Sequence, residues 1–243
     1  MQPAGTGTAV EAEIRKFGAL AGRWWDPSGP MKPLHRMNPL RTGWIARRIA
    51  RAHGRVGTDL SGLTLLDVGC GAGLASEAFA RMGAQVTGLD AAGDALEAAR
   101  AHAGAGGLDI AYREGAPEAL AAEGATFDAV VALEVIEHVA DRAAFLDALR
   151  RLAKPGGQVF LSTLNRTARS FLMAKVGAEY VLRMLPVGTH DWRMFVTPGE
   201  LGAGLRQAGL RVTDLAGMSM DPLTGQWRES KDLGVNYLVM AER

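Results

Sequence analysis

Short runs of apolar residues alternate with longer stretches of helical periodicity from residue 63 to the C-terminus. This alternation is typical of βαβ units built around a parallel sheet. It predicts an α/β fold whose sheet contains seven strands. The predicted strands span residues 63–68, 85–89, 108–112, 127–135, 158–164, 210–215 and 236–240.

Three of the intervening helices have recognisable N-terminal signals. Asp94, followed three residues later by a glutamate, and Asp141, followed by an apolar stripe, are candidate N-cap residues. Thr197 and Glu200 form a predicted capping box, with a proline at the first helical position between them. These signals place three helix starts on the chain.

Two segments lie outside the alternation. Residues 11–55 are helical in tendency and rich in tryptophan and basic residues, while residues 166–192 are inserted between the fifth strand and the last capped helix. We expect both to cover one edge of the sheet, as an N-terminal helical cover and an inserted lid. We expect residues 11–243 to form a single domain and residues 1–10 to be a flexible tail.

The composition excludes several classes of protein. The 243 residues include 27 Lys and Arg against 26 Asp and Glu, a balance that does not suggest a nucleic-acid-binding protein. With 48% hydrophobic and 22% charged residues the chain can form a core, so disorder is excluded as its main state. The only cysteine, Cys70, excludes an intramolecular disulfide, and no apolar run reaches the roughly 18 residues of a spanning helix.

A glycine-rich turn follows the first predicted strand. The sequence LTLLDVGCGAG, residues 63–73, places Gly69, Gly71 and Gly73 where the strand passes into a helix. Glycines let a chain turn tightly and let backbone N–H groups approach a ligand. Asp90 ends the second strand 21 residues after Gly69, the spacing at which a carboxylate accepts ribose hydroxyls. The alternative is an ordinary strand-to-helix turn with Asp90 at an exposed strand end.

The loop has the form acidic-x-Gly-x-Gly-x-Gly, beginning at Asp67, rather than the Gly-x-Gly-x-x-Gly of dinucleotide-binding proteins. Together with VTGLD at 86–90, FDAVVALEVIEHV at 127–139 and LAKPGGQVFLSTLN at 152–165, it resembles the class I S-adenosylmethionine methyltransferases. That resemblance implies a doubly wound, Rossmann-like sheet with an antiparallel last strand, and S-adenosylmethionine as the cofactor.

Flanking segments narrow the resemblance to one family. Residues 23–41, 134–138, 162–167 and 177–192 are similar to the ubiquinone biosynthesis O-methyltransferases, and the similarity extends over nearly the whole chain. Residues 224–234 look less typical, a departure that we expect to leave the chemistry unaffected. The resemblance implies methylation of hydroxyl groups on polyprenylated phenol and catechol intermediates, of the 2-polyprenyl-6-hydroxyphenol and 3-demethylubiquinol types.

The resemblance implies cofactor contacts at Arg41, Gly69, Asp90 and the backbone of Leu133. It leaves open whether the chain joins a ubiquinone biosynthetic complex. With the remaining loop residues included, the predicted cofactor-binding set is Arg41, Asp67, Gly69, Gly71, Gly73, Asp90 and Leu133.

Glu134, Glu137 and His138 follow the fourth predicted strand at helical spacing i, i+3 and i+4. On one α-helical turn the three side chains would share a face. One interpretation is a Mg²⁺ site that holds a catechol-like acceptor and lowers its pKa, as the resemblance to metal-dependent eukaryotic relatives implies. Without a metal the cluster could supply a base to the acceptor. The alternative to the metal site is that Glu134 and His138 line the cofactor or acceptor pocket and Glu137 is merely solvated. Glu134, Glu137 and His138 are our catalytic candidates.

Other polar and aromatic residues carry weaker signals. Asn165 and Arg166, after the fifth strand, are candidates for the pocket or for an ordinary turn. The His190–Asp191 pair is more typical of loop structure than of chemistry. We expect Trp24 and Trp25 to pack within the N-terminal cover.

Residues 166–187 combine a wide apolar face with a basic excess. A helix of this type can lie in a membrane interface, where the polyprenyl tail of a ubiquinone precursor resides. We expect peripheral contact with an anionic membrane, on the inner face of the cytoplasmic membrane of a cytoplasmic protein. A lid packed on the sheet edge is the alternative. The charged residues concerned are Arg166, Arg169, Lys175 and Arg183 against Glu179.

Overall fold

The computed structural model describes residues 7–172, 192–221 and 224–243. Within these ranges, eight strands form one mixed sheet. The strands are β1 (Thr64–Val68), β2 (Gln85–Asp90), β3 (Ala111–Glu114), β4 (Phe127–Leu133), β5 (Ala153–Leu164), β6 (Arg211–Met220), β7 (Trp227–Ser230) and β8 (Asn236–Glu242).

The sheet has the order β3-β2-β1-β4-β5-β8-β6-β7. Strands β1 to β5 are mutually parallel, and β8 lies antiparallel between β5 and β6, with Phe160 opposite Met240 and Leu215 opposite Val239. The order reverses at β1 and β4, and ligands of open α/β sheets bind at the carboxyl ends of strands at such a point. The structure confirms the doubly wound sheet and its antiparallel last strand.

The predicted count of seven strands is wrong, because the described residues contain eight. The additional strand, β7, pairs only with β6, placing Trp227 opposite Met220 and Ser230 opposite Gly217. Its sequence, Trp-Arg-Glu-Ser, has no apolar run. A strand at the edge of a sheet can be polar, because it need not be buried on both faces. A pattern search based on apolar runs therefore passes over it.

Several strand ends differ from the predicted limits. Strand β5 begins at Ala153 rather than residue 158, and β6 continues to Met220 rather than ending at 215. The β4–β5 register shifts between Phe127 and Ala129, which accommodates the polar, glycine-containing start of β5. Strand β3 begins at Ala111 rather than 108, and β4 ends at Leu133 rather than 135.

Helices flank the sheet on both faces. Asp141 caps its helix by accepting a hydrogen bond from Ala144 N (3.0 Å), and the predicted capping box of Thr197 and Glu200 is present. Asp94 instead lies inside a first turn whose N-cap is Ala92, so its predicted capping role is wrong. The helices are α1 (Glu11–Gly18), α2 (Lys32–Ala52), α3 (Leu74–Arg81), α4 (Gly93–Ala105), α5 (Pro117–Ala122), α6 (Arg142–Leu152), α7 (Ala168–Ser170) and α8 (Pro198–Gln207).

The two largest apolar clusters of the described core lie one on each face of the sheet. Alternate strand residues divide between them, because successive side chains of a strand point to opposite faces. Leu66 and Val130 pack with α6 and α8, whereas Leu65 and Val131 pack with α2 and α3. On the second face the fully buried Trp44 of α2 meets Phe160 edge to face, at 6.1 Å between ring centroids. This contact anchors α2 on the sheet beside the carboxyl ends of the strands.

Most of the predicted lid, including His190 and Asp191, lies outside the described residues, as do residues 1–6. The part of the chain that the structure does describe contains no helix long and apolar enough to cross a membrane.

Candidate active site

Three glycines shape the loop after β1. Gly69, Gly71 and Gly73 have φ values of 68°, 53° and 86°, a region that residues with a Cβ rarely occupy. A Cβ on Gly71 would lie 2.4 Å from the ring atom Cζ2 of Trp24, and a Cβ on Gly69 would lie 2.5 Å from Val135 Cγ2. The loop therefore needs glycine both for its backbone and for its close contact with the N-terminal segment.

The carboxylate of Asp90 joins the end of β2 to this loop. Oδ2 accepts a hydrogen bond from Gly71 N, and Oδ1 accepts one from Ala92 N, both at 2.8 Å. Desolvation raises the pKa of Asp90 above its ordinary value, whereas these backbone donors lower it. Each carboxylate oxygen has a second lone pair, so Asp90 keeps acceptor capacity for a ligand hydroxyl.

Arg41 of α2 places a buried positive charge between two acidic groups. Its side chain is 4% exposed, and its Nε donates to Asn38 Oδ1 at 3.3 Å, while Nη1 has no hydrogen-bond partner among the described residues. Burial lowers the pKa of Arg41, and attraction to Glu134 and Asp67 raises it. An unpaired buried guanidinium N–H is costly unless a ligand group completes it.

Asp67, on β1, is the second acidic group. Its Oδ2 accepts a hydrogen bond from Ser76 Oγ at 2.6 Å, which fixes the start of α3 against the strand. Burial raises the pKa of Asp67 to about 6, opposed by the Ser76 hydrogen bond and the nearby Arg41 charge. Asp67 thus helps to hold both the loop and the arginine.

A cavity of about 760 Å³ opens at the carboxyl ends of the strands, within the volume range of small-molecule sites. It brings together predicted residues from four separate segments of the chain. Gly73 does not line it and instead passes close to Tyr112, whose Oη would lie 2.2 Å from an added Cβ. The predicted residues that line the cavity are Arg41, Asp67, Gly69, Gly71, Asp90, Leu133, Glu134, Glu137 and His138.

The acidic pair after β4 does not lie on an α-helical turn. Glu134 has φ 56°, an uncommon conformation for a residue other than glycine, and residues Ile136–His138 form a short 3₁₀ turn. Ser162 Oγ donates to Glu134 Oε1 at 2.6 Å, and Thr163 Oγ1 donates to Glu137 Oε2 at 2.8 Å. Each carboxylate is therefore fixed by a different hydroxyl of β5.

Glu137 is 2% exposed and has an altered acidity. Burial raises its pKa to about 7, and the charge of Glu134 raises it as well, while His138 and the Thr163 hydrogen bond lower it. A carboxyl group with a pKa near neutrality can exchange protons with a substrate at physiological pH.

The described residues contain no group of three His, Cys, Asp or Glu side chains that could hold a metal ion. The predicted Mg²⁺ site at Glu134, Glu137 and His138 therefore does not fit this arrangement. The prediction assumed one α-helical turn, whereas the chain enters the left-handed region at Glu134 and continues as a 3₁₀ turn. The alternative of a pocket wall without a metal stays a prediction, although its solvated Glu137 is wrong, because that residue is 2% exposed.

Sequence reasoning missed Ser162 and Thr163 as partners of the acidic pair. The signal that could have indicated them is a polar Ser-Thr pair near the carboxyl end of an otherwise apolar strand. Asn165 and Arg166 do not line the cavity: Asn165 Nδ2 donates to Leu233 O at 2.8 Å, and Arg166 forms an ion pair with Glu200. Their geometry is that of turn residues.

The two tryptophans of the N-terminal cover contact the glycine loop. Trp25 Nε1 donates to Ala72 O in the glycine loop at 3.0 Å, and its ring stacks on His102 of α4 at 3.4 Å. Trp24 packs over Gly71 and lines the cavity. Both rings therefore hold the cover against the loop.

The strand order, the glycine loop and the carboxylate at the end of β2 define a class I methyltransferase that uses S-adenosylmethionine. Residues 66–161 match a family model described as a methyltransferase domain. The chain belongs to the ubiquinone biosynthesis O-methyltransferase family, and it is therefore an enzyme, an S-adenosylmethionine-dependent O-methyltransferase.

The family is shown by relatives that match almost the whole chain. The ubiquinone biosynthesis O-methyltransferase of Dinoroseobacter shibae is 52% identical and covers 98% of this chain and 98% of its own. The enzyme of a Methylobacterium species is 49% identical, over 98% of this chain and 97% of its own. The enzyme of Cereibacter sphaeroides is 51% identical, over 97% of this chain and 97% of its own.

Solved structures share the fold at lower identity. An S-adenosylmethionine-dependent methyltransferase from Aquifex aeolicus superimposes with a TM-score of 0.61 at 18% identity, over 94% of this chain and 97% of that one. The magnesium protoporphyrin IX methyltransferase of Synechocystis, solved with bound S-adenosylhomocysteine, superimposes with a TM-score of 0.59 at 20% identity. The match covers 87% of this chain and 83% of that one. These likenesses concern the fold alone.

Proposed function

We propose that this enzyme methylates ring hydroxyls of polyprenylated phenol and catechol intermediates of ubiquinone, of the 2-polyprenyl-6-hydroxyphenol and 3-demethylubiquinol types. We also propose that residues 11–243 form the single domain that does so. The observation that carries the proposal is the buried Glu137, hydrogen-bonded to Thr163, in the same cavity as the glycine loop. Membership of the family supports the substrate class.

Cofactor binding uses the loop side of the cavity. The free lone pairs of the Asp90 carboxylate accept the ribose hydroxyls, while its bonds to Gly71 N and Ala92 N keep the acceptor oriented. Arg41 offers Nη1, which lacks a partner within the part of the chain that the structure describes, to the carboxylate of the methionyl group, and this bond would complete the buried donor.

Proton removal takes place on the side of the cavity that carries Glu134 and Glu137. A phenol of pKa about 10 is mostly protonated at neutral pH, so a base must take its proton as the oxygen becomes a nucleophile. In our mechanism Glu137 accepts this proton and the oxygen attacks the methyl carbon in line, forming the O–CH₃ bond as the S–CH₃ bond breaks. The sulfur keeps that electron pair as a neutral thioether.

The neighbours of Glu137 adjust this base. Glu134 raises the pKa of Glu137 through like charge, and His138 favours its ionised form through opposite charge. Positioning of the two substrates supplies much of the remaining acceleration, since an oriented methyl transfer avoids the entropy cost of encounter.

A product assay tests the function and the metal question together. Purified enzyme is incubated with labelled S-adenosylmethionine and a short-chain catechol, in excess chelator and with added Mg²⁺, with Glu137→Gln as the control. We expect a methoxy product in both conditions from the wild type and a large loss in the variant. If activity disappears in chelator and returns with Mg²⁺, binding of the acceptor to the metal, and not Glu137, activates the hydroxyl. Methylation at carbon or nitrogen would overturn the substrate class.

We also propose that residues 166–187 contact an anionic membrane surface. In the described part of this segment, Arg166 and Arg169 are paired with Glu200 and Asp232, so their charge is partly neutralised. Exposed apolar side chains carry the argument instead: Phe171 is 40% exposed and Leu172 is 62% exposed. These two residues follow the short helix α7 at the cavity rim, where Arg169 lines the cavity.

Liposome flotation with anionic lipid tests this contact. The double variant Phe171→Ser with Leu172→Ser should lose most lipid binding, because burial of each side chain in the interface contributes roughly 1 to 3 kcal/mol. Leu215→Ser, at a residue 41% exposed on β6, is the matched control and should float like the wild type. Equal flotation of all three proteins would refute the membrane contact.

A further inference from the structure

Part of the cavity, here called the arm, is lined by apolar side chains. This arm lies between the start of α2 and the β6–β7 hairpin, and it is lined by Leu34 and Met37 on one side and by Met218, Met220 and Trp227 on the other. Leu34, Met37, Met218 and Trp227 also belong to or pack against one core cluster. Neither the cofactor nor a bare catechol ring requires such a wall.

Polar contacts outside the arm hold its two walls in place. Arg48 of α2 binds Asp214 Oδ2 of β6 through Nε at 2.6 Å and Glu229 Oε1 of β7 through Nη2 at 3.2 Å. Trp44 Nε1 donates to the same Glu229 oxygen at 3.1 Å. Helix α2 is thus tied to both strands of the hairpin, so the arm has walls fixed before a ligand enters.

The exposure of the lining increases along the arm. Met37 and Met218 are 5% and 3% exposed, while Met220, two residues further along the same face of β6, is 43% exposed. The polar lining groups near these residues include Arg36, Ser219 and Asn236, which lies opposite Met218 on β8. A largely apolar surface therefore runs through this part of the cavity to the protein exterior beside Met220.

We propose that this arm binds the isoprenoid tail of the acceptor, with Met218, Met220 and Trp227 as specificity-determining residues. The inference rests on the proposed function, because it takes a prenylated acceptor as given. A tail attached to a ring at Glu137 must leave the cavity, and the arm offers apolar contact along an exit from the same cavity. Methionine side chains, which are flexible and polarisable, fit a chain of repeated methyl-branched units.

A matched pair of variants tests the assignment. Met220→Glu places a charge on the arm, whereas Leu215→Glu places one on the same strand at a residue that is 41% exposed and does not line the cavity. KM and kcat are measured for a prenylated catechol and for a catechol with a methyl group in place of the tail, at one fixed detergent concentration. We expect Met220→Glu to raise the KM for the prenylated acceptor at least tenfold and to leave the short acceptor unchanged. Leu215→Glu should change neither value.

Two other results would overturn the proposal: equal effects of Met220→Glu on both acceptors, or an equal effect of Leu215→Glu on the prenylated one. Met220→Ser provides a second variant without a new charge, in case the glutamate prevents folding, and should raise the same KM by a smaller factor.

Photolabelling distinguishes a wrong tail site from a wrong function. A catechol with a diazirine at the end of a short prenyl chain is irradiated with the wild-type enzyme, and the labelled peptides are identified by mass spectrometry. Label on Leu34, Met37, Met218, Met220 or Trp227 supports the arm even if no methylation is detected, in which case only the proposed function fails. Label confined to other segments overturns the arm whatever the turnover.

Discussion

Thr163 donates its hydroxyl hydrogen over 2.8 Å to Oε2 of Glu137, which lines the cavity, and both residues are almost fully shielded from water. This bond opposes two effects that favour the protonated carboxyl, namely burial and the charge of Glu134. Thr163 is thus a positioning residue: it acts on the acceptor only through Glu137, by orienting the carboxylate and stabilising its ionised form.

Replacing Thr163 with valine should move the pH dependence of the reaction. Without the hydroxyl the pKa of Glu137 rises further, by up to about one unit for the loss of a charge-assisted hydrogen bond. The rise of kcat/KM with pH should then move to higher pH, while the affinity for S-adenosylmethionine stays the same. Thr163→Ser, which keeps the hydroxyl, should restore the wild-type profile. An unshifted profile in Thr163→Val would remove Glu137 as the titrating base.

Glu137→Gln should change how stability depends on pH. Burial raises the pKa of Glu137 from 4.5 to about 7, so the folded chain keeps a proton that the unfolded chain releases between those values. The unfolded state binds fewer protons there, and the free energy of unfolding therefore falls as pH rises through this window, by roughly 3 kcal/mol. Asp67 acts in the same direction, from 3.8 up to about 6.

Denaturant unfolding at pH 5 and pH 8 measures this effect. The wild type should lose stability between the two values, and Glu137→Gln should lose less, retaining the share that belongs to the other carboxyls with a raised pKa, Asp67 and Asp90. Glu97→Gln, at an exposed position of α4, is the control and should follow the wild type. If Glu137→Gln loses as much stability as the wild type, the raised pKa is wrong.

The sequence could predict those parts of the site that depend on neighbouring residues. The turn at Gly69 and Gly71 needs glycine because of its own backbone, and Asp90 lies at a fixed distance along a βαβ unit. The caps at Asp141 and Thr197 are likewise local, since donor and acceptor lie within three residues. Local geometry is what a sequence pattern encodes.

The parts that the sequence missed depend on contacts between distant segments. The helical spacing of Glu134 and Glu137 suggested one α-helical turn, but the backbone of Glu134 is left-handed, held by Ser162 through a bond from Glu134 N to Ser162 O at 3.0 Å. Strand β7 pairs with β6 and is bound to α2 through Trp44 and Arg48, while its own residues form no apolar run. No periodicity records such pairings.

Asp90→Asn should weaken cofactor binding. The amide keeps the shape of the side chain, but its NH₂ group cannot accept a hydrogen bond, so either a backbone donor or a ribose hydroxyl loses its partner. We expect a loss of about 2 kcal/mol, on the order of 30-fold in affinity, measured by calorimetry with S-adenosylhomocysteine. Asp94→Asn, in the exposed first turn of α4, should bind like the wild type. Unchanged affinity in Asp90→Asn would place the ribose elsewhere.

Gly71→Ala should disturb the loop by more than its backbone strain. Gly62 and Gly71 both have positive φ, 72° and 53°, but a Cβ on Gly62 would meet nothing within 4 Å, whereas one on Gly71 would lie 2.4 Å from Trp24. Gly62→Ala therefore isolates the cost of the left-handed backbone, about 1 to 2 kcal/mol. Gly71→Ala must also displace the Trp24 ring from the loop.

Two measurements separate these costs. In Gly71→Ala the free energy of unfolding should fall further than in Gly62→Ala, and the affinity for S-adenosylhomocysteine should fall as well, because Trp24 and the loop line one cavity. Combining Trp24→Ala with Gly71→Ala should cost less stability than the sum of the two single variants, since the ring that clashes with the new Cβ is gone. If Gly71→Ala and Gly62→Ala are equally stable and bind equally well, the contact between Trp24 and the glycine loop does not constrain the site.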